Sequence, residues 1–203
     1  MIHIRHGCSL ADPLAASMFS DRKQQFVDQL GWDIPVIAGQ YEIDQYDGGD
    51  AHYLIAVDAD GGHAGSMRLL PTIRPHLLAD HFADLCDGDI PRGPHVMEIT
   101  RLCLPARLGR EDRRALRNRL ISAMTDHALH SGVTVLIGVV TAVFRETILA
   151  MGWRAAPLGP ARSHQGSSIG AFRIDLAPAT PALLAATGVY VCHATSPVAA
   201  EPV

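Results

Sequence analysis

A strand–helix–strand segment in the second half of the chain places the strongest constraint on the fold. Residues 95–104 are typical of a strand that Pro105 ends, and the apolar residues 133–140 are typical of a buried strand. Between them, residues 111–130 have apolar positions at helical spacing, acidic residues in the first turn and Gly132 after the last turn. This alternation of strands and helices predicts an α/β fold, in which helices pack on a sheet.

The first half of the chain adds antiparallel strands to this sheet. Residues 52–57 and 63–70 are typical of strands, and Asp60-Gly61-Gly62 between them is a hairpin signal. The remaining predicted elements are strands at 2–5 and 168–176, a helix from Asp12 to Gly31 and a short helix at 144–151. We therefore predict a three-layer α/β/α sandwich with a mixed, twisted sheet, as one domain over residues 1–190 with a flexible tail over 191–203.

The composition is typical of a folded, soluble domain. Of the 203 residues, 48% are hydrophobic and 19% are charged, which is too apolar for a disordered chain. The net charge of −4 gives no general attraction to nucleic acid, so we expect no such partner. The N-terminus carries His and Arg where a signal peptide has an apolar run, and the longest apolar stretch, 133–144, is too short to cross a bilayer. The four cysteines form no C-x-x-C pair, so free thiols, no membrane contact and a cytoplasmic location are predicted.

Arg22 is an unexpected residue in an apolar stripe. Leu14, Met18, Phe26 and Leu30 recur around it every four residues, which places all five on one face of the first helix. A guanidinium on a buried face costs several kcal/mol unless a carboxylate neutralises it. At the edge of the stripe, which is the commoner place for such a residue, it would reach water instead.

The loop that follows this helix holds possible partners for Arg22. Its segment 42–47 contains Glu42, Asp44 and Asp47. A solvated loop is the commoner role of such a segment, but loops also hold more than their share of binding residues. Trp32 stands just before the loop, and it is either a core residue or the wall of a ligand site.

Two predicted strands carry further charged residues. Arg68 shares a strand face with Ser66, so it needs an acidic partner if that face is covered and none if it faces solvent. Glu98 and Arg101 are three residues apart, which places them on opposite faces of a regular strand; serving one site would require a β-bulge between them. Together with Arg22, these residues predict a charge-balanced polar network next to the core, a feature that clusters at functional sites.

Other signals are weaker. His127 and His130 are three apart on a helix, but no third ligand with zinc-like spacing is evident, so surface histidines and no metal are expected. The arginine-rich stretch 107–119 is either a solvated face or a docking surface for an acidic carrier or a phosphate. The sequence contains no P-loop, no G-x-G-x-x-G and no G-x-S-x-G motif.

The ordered set of motifs resembles the acyl-homoserine-lactone synthases of the LuxI type, which make bacterial quorum-sensing signals. The family pattern runs R-x-x-x-F, W, E-x-D-x-Y-D, G-S-x-R-L-x-P, F and E-x-[ST]-R. The matching residues here are Arg22, Phe26, Trp32, Glu42, Asp44, Tyr46, Asp47, Arg68 within 65–71, Phe82, Glu98, Thr100 and Arg101. The match covers residues 1–155 and includes Gly152-Trp153; each motif alone is weak, but the ordered set is specific.

The resemblance implies a fold similar to the GNAT N-acyltransferases, with a bulge in the fourth strand and a thioester arm held where the next strand splays away. It also implies a reaction between S-adenosylmethionine and an acyl group carried on acyl carrier protein or coenzyme A. The products are an N-acyl-homoserine lactone, methylthioadenosine (MTA) and the free thiol carrier. S-adenosylmethionine is then a substrate, and no true cofactor is expected.

The resemblance also suggests roles for individual residues. Glu98 is similar to the family's proposed general base, which takes a proton from the substrate amine, and Arg101 joins it in the catalytic group. Backbone N–H groups at the bulge would bind the oxyanion. The S-adenosylmethionine pocket and its charge network would comprise Arg22, Phe26, Trp32, Asp44, Asp47, Arg68 and Phe82, with Trp32 facing the sulfonium.

Two further sets follow from the resemblance. The acyl tunnel would be lined by Thr100 and by Gly138 or Thr141, on or next to the strand at 133–140. An acidic carrier protein would dock on basic residues, for which Arg154, Arg110 and Arg114 are the candidates.

Three other interpretations compete with this one. Another GNAT-like acyltransferase that uses acyl-coenzyme A would carry a pyrophosphate loop R-x-x-G-x-[GA], which residues 107–111 do not fit. A ligand-binding module would not need both Glu98 and Arg101. A domain with structural charge pairs alone would not need the ordered motifs.

Overall fold

The computed structural model describes residues 1–191 and 195–196 as a mixed α/β fold with a nine-stranded sheet and a separate two-stranded sheet. The strands are β1 (Ile2–His6), β2 (Val36–Ile37), β3 (Tyr41–Glu42), β4 (His52–Val57), β5 (His63–Pro71), β6 (Val96–Cys103), β7 (Val135–Thr141), β8 (Arg154–Pro157), β9 (Arg162–His164), β10 (Ser167–Asp175) and β11 (Thr195–Ser196). The helices are α1 (Pro13–Arg22), a π-helix (Lys23–Gln29), α2 (Leu77–His81), a 3-10 helix (Ala83–Leu85), α3 (Arg110–His130), α4 (Ala142–Leu149) and α5 (Thr180–Ala186). The predicted α/β class is confirmed.

The chain forms two compact units. The first contains Met1–Arg68, Arg101–Ala123 and strand β11, and the second contains Leu69–Thr100 and Met124–Val191. Strands β5 and β6 and helix α3 each begin in one unit and end in the other.

In the first unit, the strand order is β11-β1-β4-β5. Strand β1 pairs antiparallel with β4, with Ile2 opposite Ala56, and parallel with β11. Helix α1 begins as predicted, because the Asp12 side chain accepts a hydrogen bond from Leu14 N and Pro13 fills the first helical position.

The four-residue stripe on the first helix is only partly correct. Met18 and Phe26 are buried as the stripe predicts, and Arg22, whose burial the sequence left open, is buried with them, but Leu30 is 54% exposed. A π-helix follows α1 and has more residues per turn than an α-helix, so positions spaced by four drift around the axis. Gly31 ends the helical segment with a φ of 68°, a conformation that glycine adopts without a Cβ penalty.

In the second unit, the strand order is β6-β7-β10-β8, with β9 also paired to β10. Strand β6 runs parallel to β7, and β7 runs antiparallel to β10, so the sheet is mixed as predicted. The long helix α3 ends at His130 and Gly132 follows it with a φ of 71°. The predicted strand–helix–strand segment is therefore confirmed.

Several elements were not predicted. Helices α2 and α5 and strands β8 and β9 have seven residues or fewer, which is too short for a clear periodic pattern. Most of the predicted tail, at 192–194 and 197–203, lies outside the described residues, whereas Thr195–Ser196 pairs with β1. Among the helices in the described part of the chain, none combines the length and hydropathy that a membrane span needs.

Candidate active site

Arg22 is buried, and it is surrounded by carboxylates. Its Nε donates to Glu42 Oε2 at 2.6 Å, and its Nη1 and Nη2 donate to the two carboxylate oxygens of Asp47, each at 2.8 Å. The guanidinium also lies 5.1 Å from the Phe19 ring centre. The interpretation of Arg22 as a buried, paired arginine is confirmed, and the solvated alternative is wrong.

Arg68 and Arg101 complete the same cluster. Arg68 makes two hydrogen bonds to Asp44, at 2.6 and 2.9 Å, and its Nη1 is 2.6 Å from Asp47 Oδ1. Arg101 Nη2 donates to Glu42 Oε1 at 3.0 Å and to Asp44 Oδ2 at 2.8 Å. Arg68 is fully buried, so the solvent-facing alternative for its strand is wrong.

We call Arg22, Arg68, Arg101, Glu42, Asp44 and Asp47 the charge network. Three guanidinium groups face three carboxylates, so the formal charge of the network sums to zero. Each buried charge would cost several kcal/mol alone, and mutual pairing with directed hydrogen bonds offsets that cost. A charge-balanced network of the predicted kind is therefore present in the first unit, with Glu42 in the place that the prediction gave to Glu98, a residue of the second unit.

Electrostatics keep the charge network ionised. Burial favours the neutral form of Asp47, but the charges of Arg22 and Arg68 outweigh it and hold the pKa of Asp47 well below its usual range. Burial likewise opposes the charge of Arg22, yet Asp47 and Glu42 raise the pKa of that guanidinium. Tyr53 donates to Asp47 Oδ1 at 2.6 Å, and burial together with the Asp47 charge raises the pKa of Tyr53.

The depressed pKa of Asp47 predicts a specific loss of stability in acid. The unfolded carboxyl has a pKa of about 3.9, so below that pH the unfolded chain binds a proton that native Asp47 does not. The stabilisation from Asp47 is complete above this range and decreases as the pH falls below about 4. Urea unfolding between pH 2.5 and 6 should give a shallower acid decline for Asp47→Asn than for wild type. Asp28→Asn, at an exposed pair with Lys23, should keep the wild-type slope; equal slopes in all three proteins would contradict this account.

An aromatic stack extends from the charge network toward solvent. The Arg101 guanidinium lies 5.6 Å from the Phe26 ring centre, and the Phe26 and Trp32 rings stack at 5.0 Å with an interplanar angle of 15°. Trp32 is 38% exposed, so it is not a core residue. The stack ends in an indole face of the kind that suits a flat or cationic ligand.

Strand β6 has an irregular backbone conformation at Arg101. Arg101 has a φ of 51°, in the left-handed region that non-glycine residues rarely occupy, and this breaks the strict alternation after Glu98. Glu98 is buried in the second unit, where Oε1 accepts a hydrogen bond from Leu78 N at 2.9 Å. Thr100, between the two, is also buried.

An apolar cluster surrounds the hydrogen-bond partner of Glu98. Its buried members are Leu78, Leu85, Val135, Ile137 and Ala171. The partly buried side chains packed against them are Phe82, Cys86, Ile90, Val96, Val139, Leu158 and Ile169. Phe82 is thus in an apolar region of the second unit, and its ring also contacts that of His164 at 5.2 Å.

The two acyl-tunnel candidates on β7 lie on opposite faces. Strand alternation places Thr141 on the same face as Ile137 and Val139, which belong to the apolar cluster, and Gly138 on the other face. A Cβ at Gly138 would lie 2.8 Å from Phe172 Cζ, which explains why a glycine stands there. The Thr141 hydroxyl caps α4 by accepting from Phe144 N at 3.3 Å.

The weaker signals give mixed outcomes. Arg110, Arg114 and Arg154 are exposed, which leaves their docking role a prediction. Within the described chain, no group of three or more His, Cys, Asp or Glu side chains could hold a metal ion, and His130 Nδ1 donates a hydrogen bond to the backbone carbonyl of Asp126 in its own helix. Within the described residues, Cys8, Cys86 and Cys103 are in no disulfide, and Cys192 lies outside the described residues.

Sequence reasoning missed several polar residues that make specific hydrogen bonds in the first unit. Tyr53, which bonds to Asp47, stands in an otherwise apolar strand and carries no pattern that marks it. Gln25 donates to Leu102 O at 3.1 Å and accepts from Leu104 N at 2.8 Å, so it ties the π-helix to β6 beside Arg101. Asp21 accepts hydrogen bonds from both nitrogens of the Arg107 fork, and its carboxylate lies 2.5 Å from His63 Nδ1. The available sequence signal for these contacts was the presence of the polar residues Asp21 and Gln25 in the first helical segment.

The fold is similar to that of solved acyl-homoserine-lactone synthases, which are acyltransferases. The chain belongs to the autoinducer synthase family, whose model matches residues 10–180, and it is thus an acyl-homoserine-lactone synthase by family. An acyl-homoserine-lactone synthase of Ralstonia nicotianae is 36% identical over 195 residues, covering 93% of this chain and 95% of the relative.

Two solved structures are similar over nearly the whole chain. TofI, in a ternary complex with an inhibitor and MTA, is 31% identical with a TM-score of 0.76, covering 93% of this chain and 99% of its own. MesI, a CoA-dependent acyl-homoserine lactone synthase, is 25% identical with a TM-score of 0.80, covering 97% and 100%. The resemblance inferred from the ordered motifs is confirmed.

Proposed function

We propose that this chain transfers an acyl group from a thioester to the amine of S-adenosylmethionine and then closes the lactone, releasing methylthioadenosine. The observation that carries this proposal is the charge network, since its six members occupy the motif positions of the autoinducer synthases. The likeness to TofI, which was crystallised with MTA, supports an adenosyl-bearing substrate. We also infer a cytoplasmic location, which the free thiols of Cys86 and Cys103 support.

Glu98 acts as the general base in this proposal. The substrate amine attacks the thioester carbonyl only when it is neutral, so a carboxylate must accept its proton directly or through a water. The hydrogen bond from Leu78 N orients the Glu98 carboxylate. The tetrahedral oxyanion then takes hydrogen bonds from backbone N–H groups, for which the irregular segment of β6 at Arg101 is the source.

The charge network positions the other substrate rather than reacting with it. Its guanidinium groups are engaged by carboxylates, so it fixes the loop that carries Asp44 and Asp47 against α1 and β5. The stack of Phe26 and Trp32 receives the adenosyl group, with the exposed indole facing the sulfonium. Lactone closure then requires only that the substrate carboxylate be held near its own γ-carbon, which is a positioning task.

The acyl chain packs in the apolar cluster of the second unit. Leu78 donates to Glu98 through its backbone and belongs to that cluster through its side chain, so the base and the apolar wall share one residue. Phe82 packs against the cluster, and Thr141 lies on the same face of β7 as the cluster residue Ile137. The acyl group is carried either on coenzyme A or on an acyl carrier protein. The likeness to MesI supports coenzyme A. The exposed residues Arg110, Arg114 and Arg154 support an acidic carrier protein.

Mass spectrometry of the reaction product tests this proposal. Purified chain is incubated with S-adenosylmethionine and a panel of acyl-coenzyme A and acyl-carrier-protein donors, and organic extracts are searched for the homoserine-lactone fragment ion. We expect an N-acyl-homoserine lactone and an equal amount of methylthioadenosine. The mass of the product identifies the acyl group, and the donor that yields it identifies the carrier. Thioester consumption without any lactone would favour another GNAT-like N-acyltransferase instead.

A further inference from the structure

Among the residues that the structure describes, a buried arginine outside the charge network has no buried carboxylate partner. Arg145, on α4 in the second unit, is 8% exposed. Its Nη1 donates to the backbone carbonyl of Gly159 at 2.9 Å, and its Nε is buried without a hydrogen-bond partner in the described part of the chain. The nearest carboxylate is that of its neighbour Glu146, 3.8 Å from Nε, and that side chain is 70% exposed.

This environment differs from that of the other buried arginines. Arg22 and Arg68 each face two carboxylates at hydrogen-bond distance. A buried cation normally needs such a partner, because one carbonyl dipole and one solvent-screened carboxylate do not replace its lost hydration. Arg145 thus has donor capacity and positive charge that the described protein does not use.

The surrounding backbone holds the guanidinium of Arg145 in place. It lies directly over Gly170 on β10, where a Cβ would come within 2.3 Å of Nη1 and 2.7 Å of Cζ. No other residue type fits under the guanidinium without moving it. The side chain is also fixed at Gly159 O, and about a tenth of its surface remains exposed to solvent.

We propose that Arg145 is the anchor of an oxyanion site that binds a phosphate group. The planar guanidinium presents its free donors as a fork, which matches phosphate geometry, and a bound phosphate supplies the missing acceptor and the missing negative charge. The phosphate comes either from free inorganic phosphate or from the phosphate-bearing arm of the acyl donor. The second source rests on the proposed function; the site itself does not.

Phosphate binding to the whole protein tests the site directly. Isothermal titration calorimetry with inorganic phosphate should give saturable binding to wild type and a loss of affinity of about tenfold or more in Arg145→Met. Gly170→Ala keeps the arginine but displaces it, so it should weaken binding as well. Arg173→Met, on the same strand but exposed and paired with Asp175, is the matched control and should bind as wild type does. Glu146→Gln should bind phosphate more tightly, because it removes the nearby negative charge.

Two further arms distinguish the source of the phosphate. If it belongs to the donor, coenzyme A competes with inorganic phosphate, pantetheine without phosphate does not, and Arg145→Met raises KM for the acyl donor with little change in kcat. If the ligand is free phosphate, coenzyme A does not compete with inorganic phosphate, and Arg145→Met leaves the KM for the acyl donor unchanged. Calorimetry then still shows phosphate binding that depends on Arg145. If wild type binds neither inorganic phosphate nor coenzyme A, the proposal is wrong, whether or not the variants fold. Lactone synthesis is measured separately, so this result would leave the test of the proposed function unaffected.

Discussion

Glu42→Gln is expected to lower the free energy of unfolding by about 3–5 kcal/mol, the usual cost of leaving a buried charge without its partner. Glu42 is fully buried and is shared by Arg22 and Arg101. Neutralising it leaves three buried guanidinium groups facing two carboxylates. The amide must also turn an NH₂ group toward one of two arginines, which replaces an attraction with a repulsion.

Matched variants separate this effect from packing. Glu42→Asp keeps the charge and removes one methylene, so it should cost less than Glu42→Gln. Asp28→Asn removes an exposed carboxylate paired with Lys23 and should cost less than about 1 kcal/mol. Urea unfolding followed by circular dichroism measures all three. If Glu42→Gln were no more costly than Asp28→Asn, the charge network would contribute nothing to stability and our description of it would be wrong.

The charge network was predictable because charge balance is a property of the sequence. Taken alone, Arg68 on its strand favoured a solvent-facing residue, since period-two alternation identifies a face and does not say what covers it. Three arginines on apolar elements together with an acidic segment at 42–47 were more informative than any one of them. Pairing of Arg22 with Asp47 across 25 positions of sequence is then the solution that avoids unpaired buried charges.

The supporting contacts were not predictable in the same way. Tyr53 reaches Asp47 and Gln25 reaches Leu102 and Leu104 only because of how the elements pack, and no periodic pattern encodes that packing. The π-helix after α1 had no sequence signal either, and it is the reason that Leu30 was placed wrongly. An irregularity between Glu98 and Arg101 could be stated in advance only as a condition, because residues three apart on a regular strand lie on opposite faces. The φ of 51° at Arg101 is such an irregularity.

Glu98→Gln is expected to lower kcat by about 10²–10⁴-fold, the usual contribution of a positioned general base. The amide oxygen of Gln can still accept the hydrogen bond from Leu78 N, so the fold should persist and KM for S-adenosylmethionine should change little. Steady-state kinetics with thiol release as the signal measure both constants. Glu111→Gln, the same substitution at an exposed position on α3, should leave both unchanged.

The pH dependence of that variant distinguishes a base from a structural carboxylate. An α-amino group has a pKa of about 8, so without a base the reaction depends on the fraction of amine that solvent has already deprotonated. The rate of Glu98→Gln should therefore rise about tenfold per pH unit below pH 8 and level off above it, while the wild-type rate rises less steeply. The ratio of the wild-type rate to the Glu98→Gln rate should therefore decrease as the pH approaches 9. A ratio that stays constant from pH 6.5 to 9 would mean that Glu98 holds Leu78 and α2 in place without taking the proton, and the base would have to be sought elsewhere.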